Sequence, residues 1–205
     1  MEIKGKVVDI IGRRIFDGII TVRGGKIDSV KESPEDYINY ILPGFVDSHV
    51  HIESSMLTPT QFSKLVVPRG TVAVVTDPHE IANVMGVEGV DYMIEDAKRT
   101  PLKCFFGAPS CVPATSFETS GAVLGSNEIG NLLKREDIWF LSEMMNYPGV
   151  INKDAEVWSK IKAAQLSGKR IDGHAPGLMG DDLKKYAAGG ITTDHECMTI
   201  QQAKE

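Results

Sequence analysis

The stretch FVDSHVHIESS, residues 45 to 55, sets two histidines two positions apart near the end of an apolar run. Side chains at i and i+2 of a β-strand point to the same face of the sheet. His49 and His51 are therefore predicted to lie side by side. Such a pair is either hydrogen-bonded within a core or part of a metal site, since neutral imidazole is a common metal ligand.

Apolar, strand-like runs alternate with amphipathic segments throughout the chain after Leu42-Pro43-Gly44. The runs are residues 45–53, 71–78, 103–110, 137–146, 169–176 and 190–197. Buried strands separated by helices predict right-handed βαβ units and a parallel sheet. A doubly wound sheet would carry a glycine-rich phosphate turn after its first strand, and none follows His51. The pattern therefore favours an α/β fold of the (β/α)8 barrel type, which places its chemistry at the carboxyl ends of many strands.

The number of strand candidates is smaller than a closed barrel needs. Six runs can be counted where the barrel takes eight strands, and the chain stops at Glu205, within the expected sixth helix. We therefore expect a TIM-like barrel truncated after about six strands, in the N-terminal part of a longer protein. Residues 1–42 read instead as short strands with a Gly24-Gly25 hairpin turn, a small β-sandwich-like module preceding the barrel segment at 43–205.

The composition excludes several classes of function. The 205 residues carry a net charge of −6, with 22 Lys and Arg against 28 Asp and Glu. No basic run suggests a nucleic-acid partner or an anionic membrane surface. No apolar stretch is long enough to span a bilayer and the first residues do not resemble a signal peptide, so a cytoplasmic location is expected.

Polar side chains recur at the ends of four of the predicted strands. They are His49, His51, Glu143, His174 and His195. In a barrel all five would converge on one mouth. Imidazoles and a carboxylate suit Zn, Mn or Fe, and a carboxylate can bridge two ions. Paired metal ions are a recognised hydrolytic arrangement, so the pattern predicts a centre of two divalent metal ions in a hydrolase.

These motifs together resemble a known family. PGFVDSHVHIE resembles the first-strand signature of the amidohydrolase superfamily, whose members are metal-dependent barrel hydrolases with a small flanking β domain. GTVAVVTDPHEIANV, APSCVPAT, LSEMMNYPGV, DGHAPG and TTDHE narrow the resemblance to its bacterial and archaeal adenine deaminases. The resemblance implies that adenine is converted to hypoxanthine and ammonia by a metal-activated hydroxide, in purine metabolism. It implies two divalent ions, Mn or Fe, with Zn also compatible with the ligands.

The resemblance also assigns roles by position. His49 and His51 match the first-strand metal ligands, His174 and His195 those of the fifth and sixth strands, and Glu143 the bridging carboxylate. It implies an aspartate at the end of an eighth strand, which these residues do not include. It further implies strands from beyond the barrel that complete the N-terminal module, which is therefore expected to be incomplete here.

Glu143, His195 and Asp77 are the expected catalytic residues. Asp77 and His79, in TDPHE, could orient a ligand or bind substrate. Alternatively, Asp77-Pro78 could cap a following helix. Ser110 and Cys111 could line a purine pocket, although an ordinary loop role is favoured.

Other functions stay open at this point. A cyclic amidohydrolase or an N-acetyl-sugar deacetylase would use the same ligands. A non-catalytic fragment that folds only with a partner is a third alternative. The expected partners are adenine and further copies of the same chain, as a homo-oligomer.

Overall fold

A computed structural model describes residues 1–115 and 117–205. The chain divides into two compact units, Met1–Gly44 and Phe45–Glu205. Among the described residues, no helix is both long and apolar enough to cross a membrane.

The first unit is a four-stranded sheet in the order β3-β2-β1-β4. Its strands are β1 Glu2–Asp9, β2 Arg14–Arg23, β3 Lys26–Glu32 and β4 Tyr40–Ile41. The predicted hairpin is confirmed: Gly24 and Gly25 join β2 to β3 with φ of 56° and 75°. Positive φ at both turn residues matches the twist of a hairpin and is tolerated best by glycine.

The second unit is built on a six-stranded sheet whose strands follow each other in chain order, β5 to β10. They are β5 Phe45–Val50, β6 Thr71–Thr76, β7 Lys103–Ala108, β8 Ile138–Met144, β9 Arg170–Gly173 and β10 Thr193–Asp194. Every neighbouring pair is parallel. Sequential parallel strands linked by helices are the arrangement of a TIM-like barrel. The predicted fold class is confirmed, with six of the eight strands of a closed barrel in this chain.

Eight α-helices connect and follow these strands in the described residues. They are α1 Pro59–Val66, α2 His79–Met85, α3 Val87–Ala97, α4 Ser126–Leu132, α5 Tyr147–Ile151, α6 Ala155–Leu166, α7 Gly180–Ala187 and α8 Ile200–Lys204. Short 3-10 helices cover Ile52–Ser55 and Val67–Arg69. The predicted first strand is therefore too long: β5 ends at Val50, and His51 lies just beyond it.

One buried apolar cluster joins the sheet to the helices. Val74 of β6, Leu141 of β8 and Ile171 of β9 are almost completely buried, as are Val90 of α3 and Ile161 of α6. Burial of such side chains contributes about 1.5–3 kcal/mol each, so this cluster fixes the strands whose ends carry the candidate site.

Candidate metal centre

Glu143 is the centre of the candidate site. Its side chain is 3% exposed and lies near the end of β8. One carboxylate oxygen, Oε2, lies 2.9 Å from His195 Nε2, 3.0 Å from His174 Nδ1 and 3.4 Å from His49 Nε2. The other, Oε1, lies 3.6 Å from His51 Nε2. The structure thus brings together all five residues that the sequence places at strand ends.

Oxygen atoms next to their Nδ1 atoms orient the rings of His49 and His51. His51 Nδ1 lies 2.9 Å from the carbonyl oxygen of Asp77, which can only accept, so Nδ1 carries the proton and Nε2 presents a lone pair. His49 Nδ1 lies 3.4 Å from Asp172 Oδ2. The two Nε2 atoms then face each other at 3.0 Å.

The electrostatics around His49 favour a cation. The hydrogen bond to Asp172 is the largest influence on the pKa of His49 and raises it, together with the charges of Glu143 and Asp77, although burial opposes them. Because the same negative surroundings would stabilise a divalent ion, these donors fit a metal.

The opposite side of the site holds the last two histidines. His174 Nδ1 and His195 Nε2 are 3.2 Å apart, and both contact the same oxygen of Glu143. The rings of His49 and His195 stack with centroids 3.7 Å apart. Glu196 adds a further carboxylate oxygen, 3.5 Å from His174 Nδ1.

Three overlapping groups of donor atoms could each hold an ion. The groups are His51, Asp77, His79 and Glu143; His49, Asp172 and His195; and Glu143, His174 and His195. Within each group the donor atoms lie within 4.8 Å of one another. Glu143 and His195 each belong to two of the groups, and of these two only the carboxylate has a second donor atom with which to reach a second ion.

Asp77 and His79 belong to this site and do not form a helix cap. The N-cap of α2 is Pro78, and the Asp77 side chain makes no capping bond, so the capping alternative is wrong. Instead Asp77 Oδ2 lies 2.9 Å from His79 Nδ1, which is 3.4 Å from Glu143 Oε1. Burial alone would lower the pKa of His79, but Asp77 and Glu143 outweigh it and raise it to about 9.

Sequence reasoning missed Asp172 and Glu196. Asp172 is two residues before His174, so the spacing rule that paired His49 with His51 would also have found Asp172. Burial would raise the pKa of Asp172, but hydrogen bonds from His49 and Thr193 lower it. It is therefore a charged carboxylate behind His49.

Ser110 and Cys111 are 1% and 4% exposed, and so neither is open to a substrate. The Ser110 hydroxyl donates to the backbone carbonyl of Glu143 at 2.5 Å. Ser110 therefore supports the strand end that carries Glu143. The loop role favoured for these two residues agrees with their burial.

A cavity of about 480 Å³ adjoins the histidines. Phe105, Trp139 and Phe140 line it together with His49 and Asp172. The Phe105 and Trp139 rings meet edge to face, with centroids 5.0 Å apart. Trp139 and Arg170, which also line it, stand at the starts of β8 and β9, so this space is largely the interior that six strands leave open.

Comparison with known proteins identifies relatives of this chain. The sequence profile of the amidohydrolase family matches residues 40–205. The chain is 59% identical over 202 residues to an adenine deaminase from Methanosarcina barkeri, covering 98% of this chain and 37% of the relative. It is 56% identical over 205 residues to one from Sulfurovum sp., covering 100% and 38%. It is 50% identical over 205 residues to one from Borreliella burgdorferi, covering 99% and 37%. The chain thus spans little more than a third of these relatives' length.

Solved structures with the same fold are distant in sequence. An N-acetyl-D-glucosamine-6-phosphate deacetylase from Mycobacterium smegmatis matches with a TM-score of 0.59 and 14% identity, covering 95% of this chain and 54% of that one. An atrazine chlorohydrolase from Arthrobacter aurescens matches with a TM-score of 0.53 and 12% identity, covering 95% and 65%. The shared fold, the profile match over most of the sequence and the strand-end histidines agree: this chain belongs to the amidohydrolase family.

Proposed function

We propose that this chain is the metal-binding portion of an adenine deaminase, which hydrolyses adenine to hypoxanthine and ammonia. The observation that carries the proposal is the identity of 50–59% to proteins of that name along the whole chain. The likeness to the deacetylase supports only a shared fold at 14% identity, so it does not favour an alternative substrate.

The donor atoms support a centre of two divalent ions, Mn or Fe, with Zn compatible. His49 and His51 would hold one ion and His174 and His195 the other, with Glu143 between them. Such ions supply activation of water near neutral pH. Asp172 and the carbonyl of Asp77 would keep the first two imidazoles turned toward the centre.

Glu143, His195 and Asp77 are the catalytic residues in this proposal. Glu143 and His195 are in contact at 2.9 Å, and both would bind the metal ions at which the reaction takes place. Loss of ammonia requires a proton on the leaving amine. The family resemblance assigns that transfer to an aspartate of an eighth strand, so Asp77 has a supporting part in this proposal: its Oδ2 contacts His79, which lies 3.4 Å from Glu143 Oε1.

The identity to adenine deaminases is also what supports adenine as the substrate. We place the protein in the cytoplasm as a homo-oligomer. Its net charge of −6 is unfavourable for nucleic-acid partners and anionic membranes.

A chimera tests this function. The chain would replace the aligned 202-residue region of the Methanosarcina barkeri relative. We expect the Mn²⁺-loaded chimera to convert adenine to hypoxanthine, measured against standards by chromatography. Glu143→Gln in the chimera should reduce turnover by at least about a hundredfold, since one carboxylate charge in the centre is lost. An inactive, folded chimera beside an active parent would contradict the proposal.

A further inference from the structure

Tyr186 of α7 joins the two strand ends that carry Glu143 and His174. Its hydroxyl donates to the carbonyl of Met144 at 2.8 Å and accepts from the backbone N–H of His174 at 3.0 Å. The residue is 1% exposed. Burial raises the pKa of Tyr186, so the hydroxyl stays protonated and keeps its donor at neutral pH.

The hydroxyl lies where the ladder between β8 and β9 is irregular. Regular pairing runs through Leu141 and Ile171, and the register then shifts before Met144 pairs with Gly173. The ladder is thus interrupted between these two pairs, and Met144–Gly173 is the one pair that follows the interruption. Tyr186 supplies a bridge between the strands at that point.

This bridge bears directly on two metal-ligand candidates. The Glu143 carbonyl is already held by Ser110, and the Tyr186 hydroxyl binds the next carbonyl along the chain. The same hydroxyl binds the N–H of His174, whose ring contacts Glu143 at 3.0 Å. None of these bonds involves His49 or His51, which lie at the end of β5.

We propose that Tyr186 is a positioning residue that sets the separation of Glu143 and His174, and so creates the ion site formed with His195. The inference rests on the proposed metal centre. It predicts an asymmetry: loss of the hydroxyl should weaken the ion held by His174 and His195 and leave the ion held by His49 and His51 in place.

The test is Tyr186→Phe, which keeps the ring and removes only the hydroxyl. The metal-free chimera described above, which supplies the rest of the protein, and its Tyr186→Phe variant would be titrated with Mn²⁺, with free and bound ion followed by electron paramagnetic resonance. We expect two tight ions in an exchange-coupled pair for the wild type. For the variant we expect one ion bound within about threefold of wild type and the other about 10- to 100-fold weaker, with the coupled spectrum lost.

Trp158→Phe is the matched control, because it removes a single hydrogen bond, from Trp158 Nε1 to the Val150 carbonyl at 3.0 Å, and touches no ligand candidate. It should keep both ions and the coupled spectrum. If Tyr186→Phe lowers the affinity for both ions equally, or for neither, the role of Tyr186 is overturned and the proposed metal centre is not affected. A wild type that binds no Mn²⁺ would overturn the metal centre with it.

A second measurement needs no variant and covers the case in which Tyr186→Phe does not fold. If Tyr186 holds His174 before any ion arrives, the His174 amide of the metal-free wild type should exchange with solvent as slowly as that of Ile171. Exchange at the rate of an exposed amide would overturn the proposal.

Discussion

The histidines of the candidate centre depend on the groups behind them. Asp77 was considered as a group that orients a ligand, but its contact with His51 is made by the backbone carbonyl, and Asp172 was not predicted at all. The five donors could be predicted from the sequence because the i, i+2 spacing and the position at the end of an apolar run are both visible in a short stretch of residues. It did not predict that His51 would bond to the Asp77 backbone, 26 positions away, because that contact depends on how β5 and β6 pair.

Asp172→Asn should weaken Mn²⁺ binding by about 10- to 100-fold, the usual cost of losing a carboxylate that orients a ligand histidine. The physical reason is the loss of the charge 3.4 Å from His49 Nδ1, at nearly constant side-chain volume. The measurement is competition for Mn²⁺ against a calibrated chelator at neutral pH.

Asp181→Asn is the control for that change, because the Asp181 side chain is 88% exposed and, within residues 1–115 and 117–205, forms its one ion pair with Lys184. It should leave Mn²⁺ affinity unchanged. If Asp172→Asn binds the ion within threefold of wild type, Asp172 does not orient His49.

At the scale of elements, helix α1 receives its cap from another helix. Thr58 is the N-cap and makes no side-chain capping bond. The N–H of Thr60, in the first turn, donates instead to Asp96 Oδ2 of α3 at 2.7 Å. Burial would raise the pKa of Asp96, but the Thr60 N–H and the Arg99 guanidinium outweigh it and lower it to about 2.

Asp96→Asn should reduce the free energy of unfolding by about 1–3 kcal/mol at pH 7, because a buried charge-assisted hydrogen bond is lost. A carboxyl with a lowered pKa in the folded state stabilises above its ordinary value of 3.8, and this stability is lost as pH falls through about 2. The difference between wild type and variant should therefore shrink from pH 4 to pH 2.

Urea denaturation at pH 7, 4 and 2.5 measures this difference. The control is Glu95→Gln on the same helix, since the Glu95 side chain is 66% exposed and pairs only with Lys98. Its effect should be within about 0.5 kcal/mol. If the difference in the free energy of unfolding between wild type and Asp96→Asn does not change with pH, the carboxylate charge of Asp96 is not the stabilising feature.

Each of the six apolar runs contains a strand, but the runs overstate strand length. The run at 190–197 contributes only Thr193–Asp194, which pairs with β9 alone. The apolar content of a run indicates that its residues are buried, but the length of a strand depends on how many residues pair with a neighbouring strand. The alternative of a cap at Asp77-Pro78 anticipated helix α2, which begins at His79, whereas the 5 residues of α5 are too few for helical periodicity to be recognised.

At the scale of the molecule, the first unit has little apolar core of its own. Val7 and Ile20 are its buried hydrophobic residues. Most of β3 is exposed. A sheet that buries so little apolar surface contributes little to its own stability, as expected for an incomplete module.

Hydrogen exchange should therefore separate the two units. In the isolated 205-residue chain, amides of β1 to β3 should exchange substantially faster than those of β6 to β8, whose core residues are nearly fully buried. Mass spectrometry of peptic peptides gives the comparison. Equal protection in both regions of a monomeric sample would contradict the expectation that the module is incomplete.

The isolated chain should not deaminate adenine at an enzymatic rate. Six strands leave the barrel open, and small displacements of reacting groups can cost about a hundredfold. The aspartate that the family resemblance implies on an eighth strand is also lacking, and general acid–base catalysis contributes about a hundred- to ten-thousandfold.

The measurement is adenine loss against hypoxanthine standards in the Mn²⁺-loaded 205-residue chain, with the active chimera as positive control. Turnover of about 1 to 1,000 per second would show that residues already present perform the missing proton transfer. Asp77 and His79 would then be the first candidates, because their contact of 2.9 Å lies beside Glu143.

The strictly sequential order of β5 to β10 has a consequence for the timing of folding. Each strand pairs with the one made just before it, so the sheet can grow strand by strand as the polypeptide leaves the ribosome. The donors, however, come from both ends of that series: His49 from the first strand and His195 from the residue after the last. The nascent chain would thus carry an unfinished set of these ligands until the sixth strand of the barrel, β10, has docked against β9.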